Sequence, residues 1–574
     1  MSGRRAGSLV LLILLLGATL PRPCSGQSLH RGWCKPPDPG SLATPPHDLR
    51  SRNGILKATI TVRGAIDPSG HIRYCLFDDR GDLAPTLRIQ PGDELDIRLR
   101  DQISLPARAA PAGIGAMTVR RSAGDTHSPR DPCAGGPMSA GSINLHFHGL
   151  EIPPVCHQDD TLHTVVEPGD PPFEYRFRVP PTQPPGLYWY HAHIHGLSEV
   201  ELLGGASGAL IVEGIDHAAP RVRGLPERIL VIRDGWMPAP DPAAKADPNR
   251  PTRQLSINYV PVPYPAYPPA VIRMRPHARE LWRLVNACAD TYLRLQVLFN
   301  GRPESLGLVA LDGAPLRYGD PGARGYAPQP LSIILPPAGR AEFIVTAPAA
   351  GESGRLMTDF MNRGPDEETP IGTGAGAPAA GPVTDDVDPT RPLASILVST
   401  HAVEPSAIRP ATTAPVPPSV PLSSVRPDRK RTLYFSESAR PGDPTSPISY
   451  FITETGHTPA VFDPRRSQPD MTVHVGDVED WTIENRTREV HAFHIHQLHF
   501  IIVGQRGAPW EQPTLRDTVN VPAWSGFGPY PSVTLRMDFR DPRLVGTFPY
   551  HCHIAQHMDG GMMGTVRVEP ATSR

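Results

Sequence analysis

The 574-residue chain has almost no excess of charge of either sign. Its 56 Lys and Arg stand against 58 Asp and Glu, interspersed, for a net −2. No electrostatic footprint for nucleic acid or an anionic membrane results, so small molecules are the expected partners. Long apolar runs are also missing: past the first 20 residues nothing approaches the roughly 20 residues that cross a bilayer. Cysteine is scarce, seven in all, which at this length excludes a small disulfide-stapled module. Methionine is scarce too, with 12 residues and no methionine-rich insertion. In abundance are Pro (72) and Gly (52), together about a fifth of the chain. Such a composition disfavours long helices and suits short strands joined by turns, and the length gives two to four domains.

The N-terminus, "MSGRRAGSLVLLILLLGATLPRPCSG", pairs two arginines with an apolar run from Leu9 to Leu20 and then small residues. This predicts a cleaved secretory signal over residues 1–26 and a secreted or periplasmic protein, free of the membrane after cleavage. Arg4-Arg5 raises a twin-arginine route, but the residues after the pair fit that pattern poorly, and the export route stays open. An oxidising compartment allows disulfides. With Cys24 in the signal and Cys552 set aside for chemistry, a pairing of Cys34 with Cys75 and Cys133 with Cys156 leaves Cys288 buried in "LWRLVNACAD". Sequence alone does not fix that connectivity.

One layout of strands is written three times. Its opening strand is "LRIQPGDELDIRLRDQ" (87–102), "VIRMRPHARELWRLVNAC" (271–288) and "MTVHVGDVEDWTIENRT" (471–487); a second strand follows as "INLHFHGL", "YLRLQVLF" and "HAFHIHQL". The apolar–polar alternation is that of half-buried antiparallel strands. Three homologous β-sandwich domains are the expectation, over 27–215, 216–400 and 431–574. The Pro-rich segment 401–430 reads as a linker and residues 364–392 as a mobile loop. Histidines separate the copies. His146 and His148 of the first align with His494 and His496 of the third, and His191 and His193 with His551 and His553, whereas the second copy has no histidine at those places. A site built where the first and last domains meet would draw four histidines from each.

Side chains at i and i+2 of a strand point to one face, so each His-x-His aims two imidazoles into one space. Four such pairs offer eight nitrogen ligands, too many for one ion and natural for two or three. Cys552, between His551 and His553 in "GTFPYHCHIAQHMDGGMM", must face the other way. With His557 and an upstream histidine, best taken as His491, it forms the two-nitrogen, one-thiolate set of a blue-copper centre. Met562 suits the weak axial position, with Met563 as the alternative. A structural zinc site would use paired cysteines and histidines, and only one cysteine lies here.

These segments, "HFHG", "YWYHAH", "HAFHIH" and "HCHIAQHMDGGM", resemble those of a three-domain multicopper oxidase of the laccase type, and with the repeats the likeness spans nearly the whole mature chain. The resemblance implies an all-β fold of three cupredoxin-like Greek-key sandwiches holding four coppers. It implies type 1 copper on His491, Cys552 and His557 with Met562 axial, type 2 copper on His146 and His494, and a type 3 pair on His148, His191, His193, His496, His551 and His553. Electrons would pass through Cys552, His551 and His553, and O2 would be reduced to water at the expense of a small reducing substrate. Asp159 and Asp160 are candidates for the proton relay. Relatives carry an acid directly after the residue equivalent to His557, where this chain has Met558 and then Asp559, which leaves a second proton donor open.

Other histidines are discounted as ligands. His195 and His499 are expected to hydrogen-bond the ligand rings, and His157 and His163 to lie at the surface or in a channel. Asp517 is expected to order the type 1 side. A phenolic or aromatic donor is favoured over Cu(I), Fe(II) or Mn(II) because no methionine-rich feeder is present. The alternatives are such a metallo-oxidase of metal tolerance, or a non-catalytic protein on the same fold, which the intact ligand set argues against. A monomer is the default state.

Overall fold

The computed structural model describes residues 34–571 except 106–129, 137, 239–246, 248–249, 317, 319–327, 366–384, 418–419, 439–447 and 508–513. The expected signal over 1–26, with Arg4, Arg5 and Cys24, lies outside the described residues. Strands take 45% of the chain and helices 6%, and among the described residues the strands form three successive pairs of sheets and one separate two-stranded sheet.

The first pair joins a five-stranded sheet, ordered Asp48–Arg50, Thr86–Ile89, Ser207–Val212, Gly186–His191, His146–His148, to a four-stranded one. The third joins a five-stranded sheet, ordered Met471–His474, Met563–Glu569, Gly546–Cys552, His491–Ile495, Thr518–Val521, to a six-stranded one. Between them, sheets of seven and six strands cover residues 227–398. Each pair closes on its own apolar core, around Phe147, Trp282 and Phe493 respectively, as facing sheets must to bury their inner sides.

The repeat persists in the core. Arg228, Glu280 and Trp282 in the second pair form the same buried triad as Arg431, Glu479 and Trp481 in the third, with Arg Nε to Glu at 2.9 and 2.6 Å and indole Nε1 to the same carboxylate at 2.9 and 2.8 Å. The first pair has Lys57 on Asp96, 3.0 Å, across the equivalent parallel strands.

Two regions depart from the expected layout. Part of the segment read as a loop is sheet: Asp385–Asp388 pairs with Met361–Pro365, and Arg391–Val398 joins the six-stranded sheet. The buried Arg391 guanidinium reaching Asp388 at 3.0 Å ties these strands together. The Pro-rich stretch is docked rather than loose. Thr412 N–H donates to Gln90 (2.9 Å), Val416 N–H to the Pro181 carbonyl (3.1 Å), and Ile408 is buried. Disulfides join Cys34 to Cys75 and Cys133 to Cys156, and Cys288 is a buried free thiol.

Candidate metal centres

Strand register delivers the histidines. His146 lies opposite His191 across neighbouring antiparallel strands of the first domain, and His494 lies opposite His551 in the third. The two sheets present these pairs to a common space, where all eight imidazoles are buried. Rings from different domains stack, His146 on His496 (3.8 Å, 17°) and His148 on His494 (3.9 Å, 14°). His193, His496 and His551 form one trio, with His551 Nε2 at 3.3 Å from both partners' Nε2. His148, His191 and His553 form another, with ring centroids 5.2 to 5.8 Å apart.

Five of the eight rings are fixed by a hydrogen bond on their outer side. His146 Nδ1 donates to Asp159 (2.9 Å), His148 Nε2 to Asp517 (3.2 Å), His191 Nδ1 to the Ala192 carbonyl (2.8 Å), His494 Nδ1 to the Asp517 carbonyl (2.8 Å) and His551 Nδ1 to the Cys552 carbonyl (2.9 Å). The nitrogens left facing inward, among them His146 Nε2, His148 Nδ1, His191 Nε2 and His494 Nε2, have no hydrogen-bond partner among the described residues. A knot of buried, unpaired acceptors is costly and fits soft, imidazole-binding cations. Burial pushes these imidazoles toward neutrality, His191 down to about 3 and His551 to about 4.

On the reverse side of the strand Gly546–Cys552, the Cys552 thiol lies 3.7 Å from His491 Nδ1 and 3.7 Å from His557 Nδ1, and those two nitrogens are 3.1 Å apart. Their outer nitrogens are engaged, His491 Nε2 with the Thr487 hydroxyl (2.7 Å) and His557 Nε2 with Glu489 (3.1 Å). The two Nδ1 atoms therefore meet as lone pairs beside a sulfur, which suits a copper-type cation. Met562 is fully buried in the core that contains Cys552, and its carbonyl accepts the Cys552 N–H (3.1 Å). Met563 instead lines a small cleft with His193 and His195.

The two candidate acids part company. Asp159 is buried and accepts from His146 Nδ1, Phe147 N–H (3.0 Å) and the Gln497 amide; burial pushes its carboxyl up, against those hydrogen bonds. Asp160 turns outward onto exposed His163, 3.0 Å away, and touches no cluster ring. Asp517 is not on the Cys552 side. The pairing of His494 with Thr518 brings it against the histidine cluster, where Arg340 holds its carboxylate below the usual range despite burial. His195 makes an edge contact with Phe462 (4.9 Å) instead of hydrogen-bonding a ligand ring, because the strand ends at His191 and the chain turns back at Ile194–Leu197. His499 donates to Glu151 (2.9 Å), and His157 stacks on Phe173 at the surface.

Arg340, Gln497, Glu489 and Glu151 carry no motif that singles them out in sequence, and their roles come from partners far along the chain. Two larger cavities lie beside these centres. One, of about 260 Å³, opens on the edge of His557 and is lined by Arg250, Arg253, Asp290, Arg363, Glu489 and Gln556. The other, of about 760 Å³, lies among the three domains and reaches Gln497 and His499.

A histidine cluster between the outer domains and a cysteine–histidine centre one residue away is a ligand arrangement suited to copper redox chemistry. Multicopper oxidase family models match residues 139–216 and 441–572. A laccase of Haloferax volcanii is 25% identical over 508 residues, covering 83% of this chain and 75% of the relative. A Bacillus stratosphericus laccase is 24% identical over 453 residues, 73% and 79% of the two chains. Among solved structures, a multicopper oxidase from Campylobacter jejuni, described as a metallo-oxidase, shares the fold at TM-score 0.60 and 21% identity, over 93% of this chain and 96% of that one. These matches support a laccase-like multicopper oxidase, a family whose members take copper as cofactor and couple a reducing substrate to O2.

Proposed function

We propose that the protein binds four coppers, one at His491, Cys552, His557 and Met562, one at His146 and His494, and a pair on His148, His191, His193, His496, His551 and His553, and that it oxidises a phenolic or similar aromatic donor. Copper supplies the one-electron chemistry by which single electrons leave a donor and four of them reach O2. The single observation that carries this reading is the strand Gly546–Cys552: it turns Cys552 to one centre while His551 and His553 enter the other, so two adjacent peptide units link them.

The chain's own groups supply the rest. The cavity at His557 admits the donor to the edge of that ring, and Glu489 accepts a hydrogen bond there. Asp159, hydrogen-bonded to His146, is the group positioned to hold a proton beside the cluster. A metal-ion donor is the second reading, suggested by the Campylobacter jejuni relative. Against it, Asp290 in the cavity is already paired with Arg253 at 3.0 Å, and Arg250, Arg253 and Arg363 outnumber the acids Asp290 and Glu489 in the lining, which disfavours a cation. Export through the segment 1–26 and disulfide formation outside the cytoplasm belong to the same proposal, supported by the two bridges.

The test loads purified protein with copper and measures metal per chain, the blue thiolate band, and O2 uptake with a phenol, a non-phenolic dye, Cu(I) and Fe(II) side by side. Four metals, a band abolished in Cys552→Ser, and fastest turnover of the phenol are expected. Fewer metals in folded protein, or turnover restricted to metal ions, overturns the corresponding part.

A further inference from the structure

We infer that the second domain, which lends no ligand, sets the orientation of cluster histidines through Arg340, so that Arg340 and Asp517 are positioning residues for the metal centre. The inference rests on the metal reading above but concerns a different part of the molecule.

Arg340 opens the strand Arg340–Thr346 of the middle domain and is fully buried. Its guanidinium forks onto both oxygens of Asp517, a third-domain residue, with Nη1 to Oδ1 at 2.7 Å and Nη2 to Oδ2. Its remaining donors go to the Leu187 carbonyl of the first domain (3.3 Å) and to its own domain at Ala338 (3.0 Å). A second tie runs beside the first: Asp312 of the middle domain accepts the Arg340 N–H (2.9 Å) and ion-pairs with Arg516. The backbone at 516–517 is thus gripped twice by a domain that contains no ligand.

Asp517 then holds one ring from each half of the cluster. Its Oδ1 takes the Nε2–H of His148, and its backbone carbonyl takes the Nδ1–H of His494, while the Thr518 hydroxyl donates to Oδ1 at 2.9 Å. A carboxylate and a carbonyl can only accept. His148 is therefore kept as the tautomer with its Nδ1 lone pair inward, and His494 as the one with Nε2 inward, and these are the ring nitrogens that lack partners. One residue imposes opposite tautomers on two rings stacked 3.9 Å apart. The planar two-point fork fixes the direction of the carboxylate, which a point charge would not. The site leaves no slack: a Cβ on Gly149, next to His148, would stand 2.8 Å from Arg340 Nη2 and closer still to Asp517.

A merely structural salt bridge between domains would destabilise the fold when broken but would leave metal binding in the folded protein unchanged. The experiment compares Arg340→Met, Arg340→Lys and Glu342→Gln, the last replacing by a neutral amide the carboxylate of a neighbouring tie from the middle domain to the first, Leu187 N–H to Glu342 at 2.7 Å, that does not touch the cluster. Copper is titrated against a chelator at a temperature where each variant is folded. Occupancy of the Cys552 centre is read from the blue band, and occupancy of the cluster from total copper and its paramagnetic resonance spectrum. Arg340→Met is expected to weaken the cluster sites roughly 10–100-fold, as loss of an outer partner of a metal-bound histidine does, with an altered resonance spectrum and an unchanged blue band. Arg340→Lys should recover part of the loss, and Glu342→Gln should bind as wild type does. If Arg340→Met fails to fold, the neutral pair Arg340→Met/Asp517→Asn replaces it with the same expectation. Wild-type cluster affinity and spectrum in whichever of these variants folds, or an equal loss in Glu342→Gln, overturns the inference. Failure of the wild-type chain to bind copper would instead overturn the metal reading on which it rests.

Discussion

Asp159 offers the sharpest separation of structure from chemistry. Its buried carboxylate receives three donors: His146 Nδ1, Phe147 N–H and the Gln497 amide. Asp159→Ala orphans all three, each worth about 1–3 kcal/mol when left unpaired, and because the space vacated by the carboxylate can admit water, the lower part of that range applies, about 3–5 kcal/mol in total. For a domain of this size about 2–4 °C accompanies each kcal/mol, so the copper-free first domain should melt about 6–20 °C lower. Asp159→Asn keeps the shape and one acceptor oxygen and should cost less. In the loaded enzyme, however, it removes the proton-holding group, and the O2-consuming step should slow by roughly 10²–10⁴-fold. The assay splits the cycle: anaerobic bleaching of the blue band by donor reports the first half-reaction, and stopped-flow reoxidation by O2 the second. Only the second should change in Asp159→Asn, while Asp160→Asn, at an outward-facing pair with His163, should leave both unaltered. An unshifted melt in Asp159→Ala, or equal slowing of both half-reactions in Asp159→Asn, refutes the reasoning.

Gly186→Ala places a Cβ between domains, 2.2 Å from the Gly313 carbonyl and 2.7 Å from Glu342; backbone cannot yield there, and denaturant titration should record a loss of about 1–3 kcal/mol or more. Asp101 has its carboxyl raised to about 7 by burial, with Glu167 and Asp170 adding to the shift. Since the folded value exceeds the unfolded one, its contribution to stability is present below about pH 4 and lost as pH rises through about 7; Asp101→Asn should therefore raise the melting temperature at about pH 8 and not at about pH 4. Glu489→Gln should lower kcat/KM for a phenol roughly tenfold, about 1.4 kcal/mol of positioning at His557, while a reductant without an O–H group is unaffected; equal effects on both would remove Glu489 from donor binding.

The fold was legible where strands repeat. Alternation in the segments at 87–102, 271–288 and 471–487 marks three sandwiches because inward and outward faces are forced by the pleat, and a His-x-His on such a strand can only aim two rings one way. The cysteine–histidine centre was readable for the same reason, from Cys552 facing opposite to its neighbours. What escaped was held by partners distant in sequence: Arg340 meets Asp517 across 177 positions and Gln497 meets Asp159 across 338, and no local pattern encodes such a meeting. Asp517 was assigned to the wrong side because "LRDTV" shows only a strand, and the side it faces depends on its pairing with the strand of His494. His195 misled for the converse reason: the spacing of "HAHIH" continues past the end of the strand, where alternation no longer holds.

The two centres differ in how much of the chain each must wait for. His491 and His557, which flank the cysteine site, are 66 positions apart and belong to one domain, whereas the cluster pair His193 and His551 is separated by 358. At about 5–20 residues per second a ribosome completes the near half of the cluster roughly 20–70 s before the far half. The cysteine site is thus complete as soon as the last sandwich folds, but the histidine cluster forms only once the first and third sandwiches are both in place. Metal delivered earlier would meet bare imidazole pairs on an incomplete surface, so an intact cluster asks for both outer sandwiches before it asks for metal.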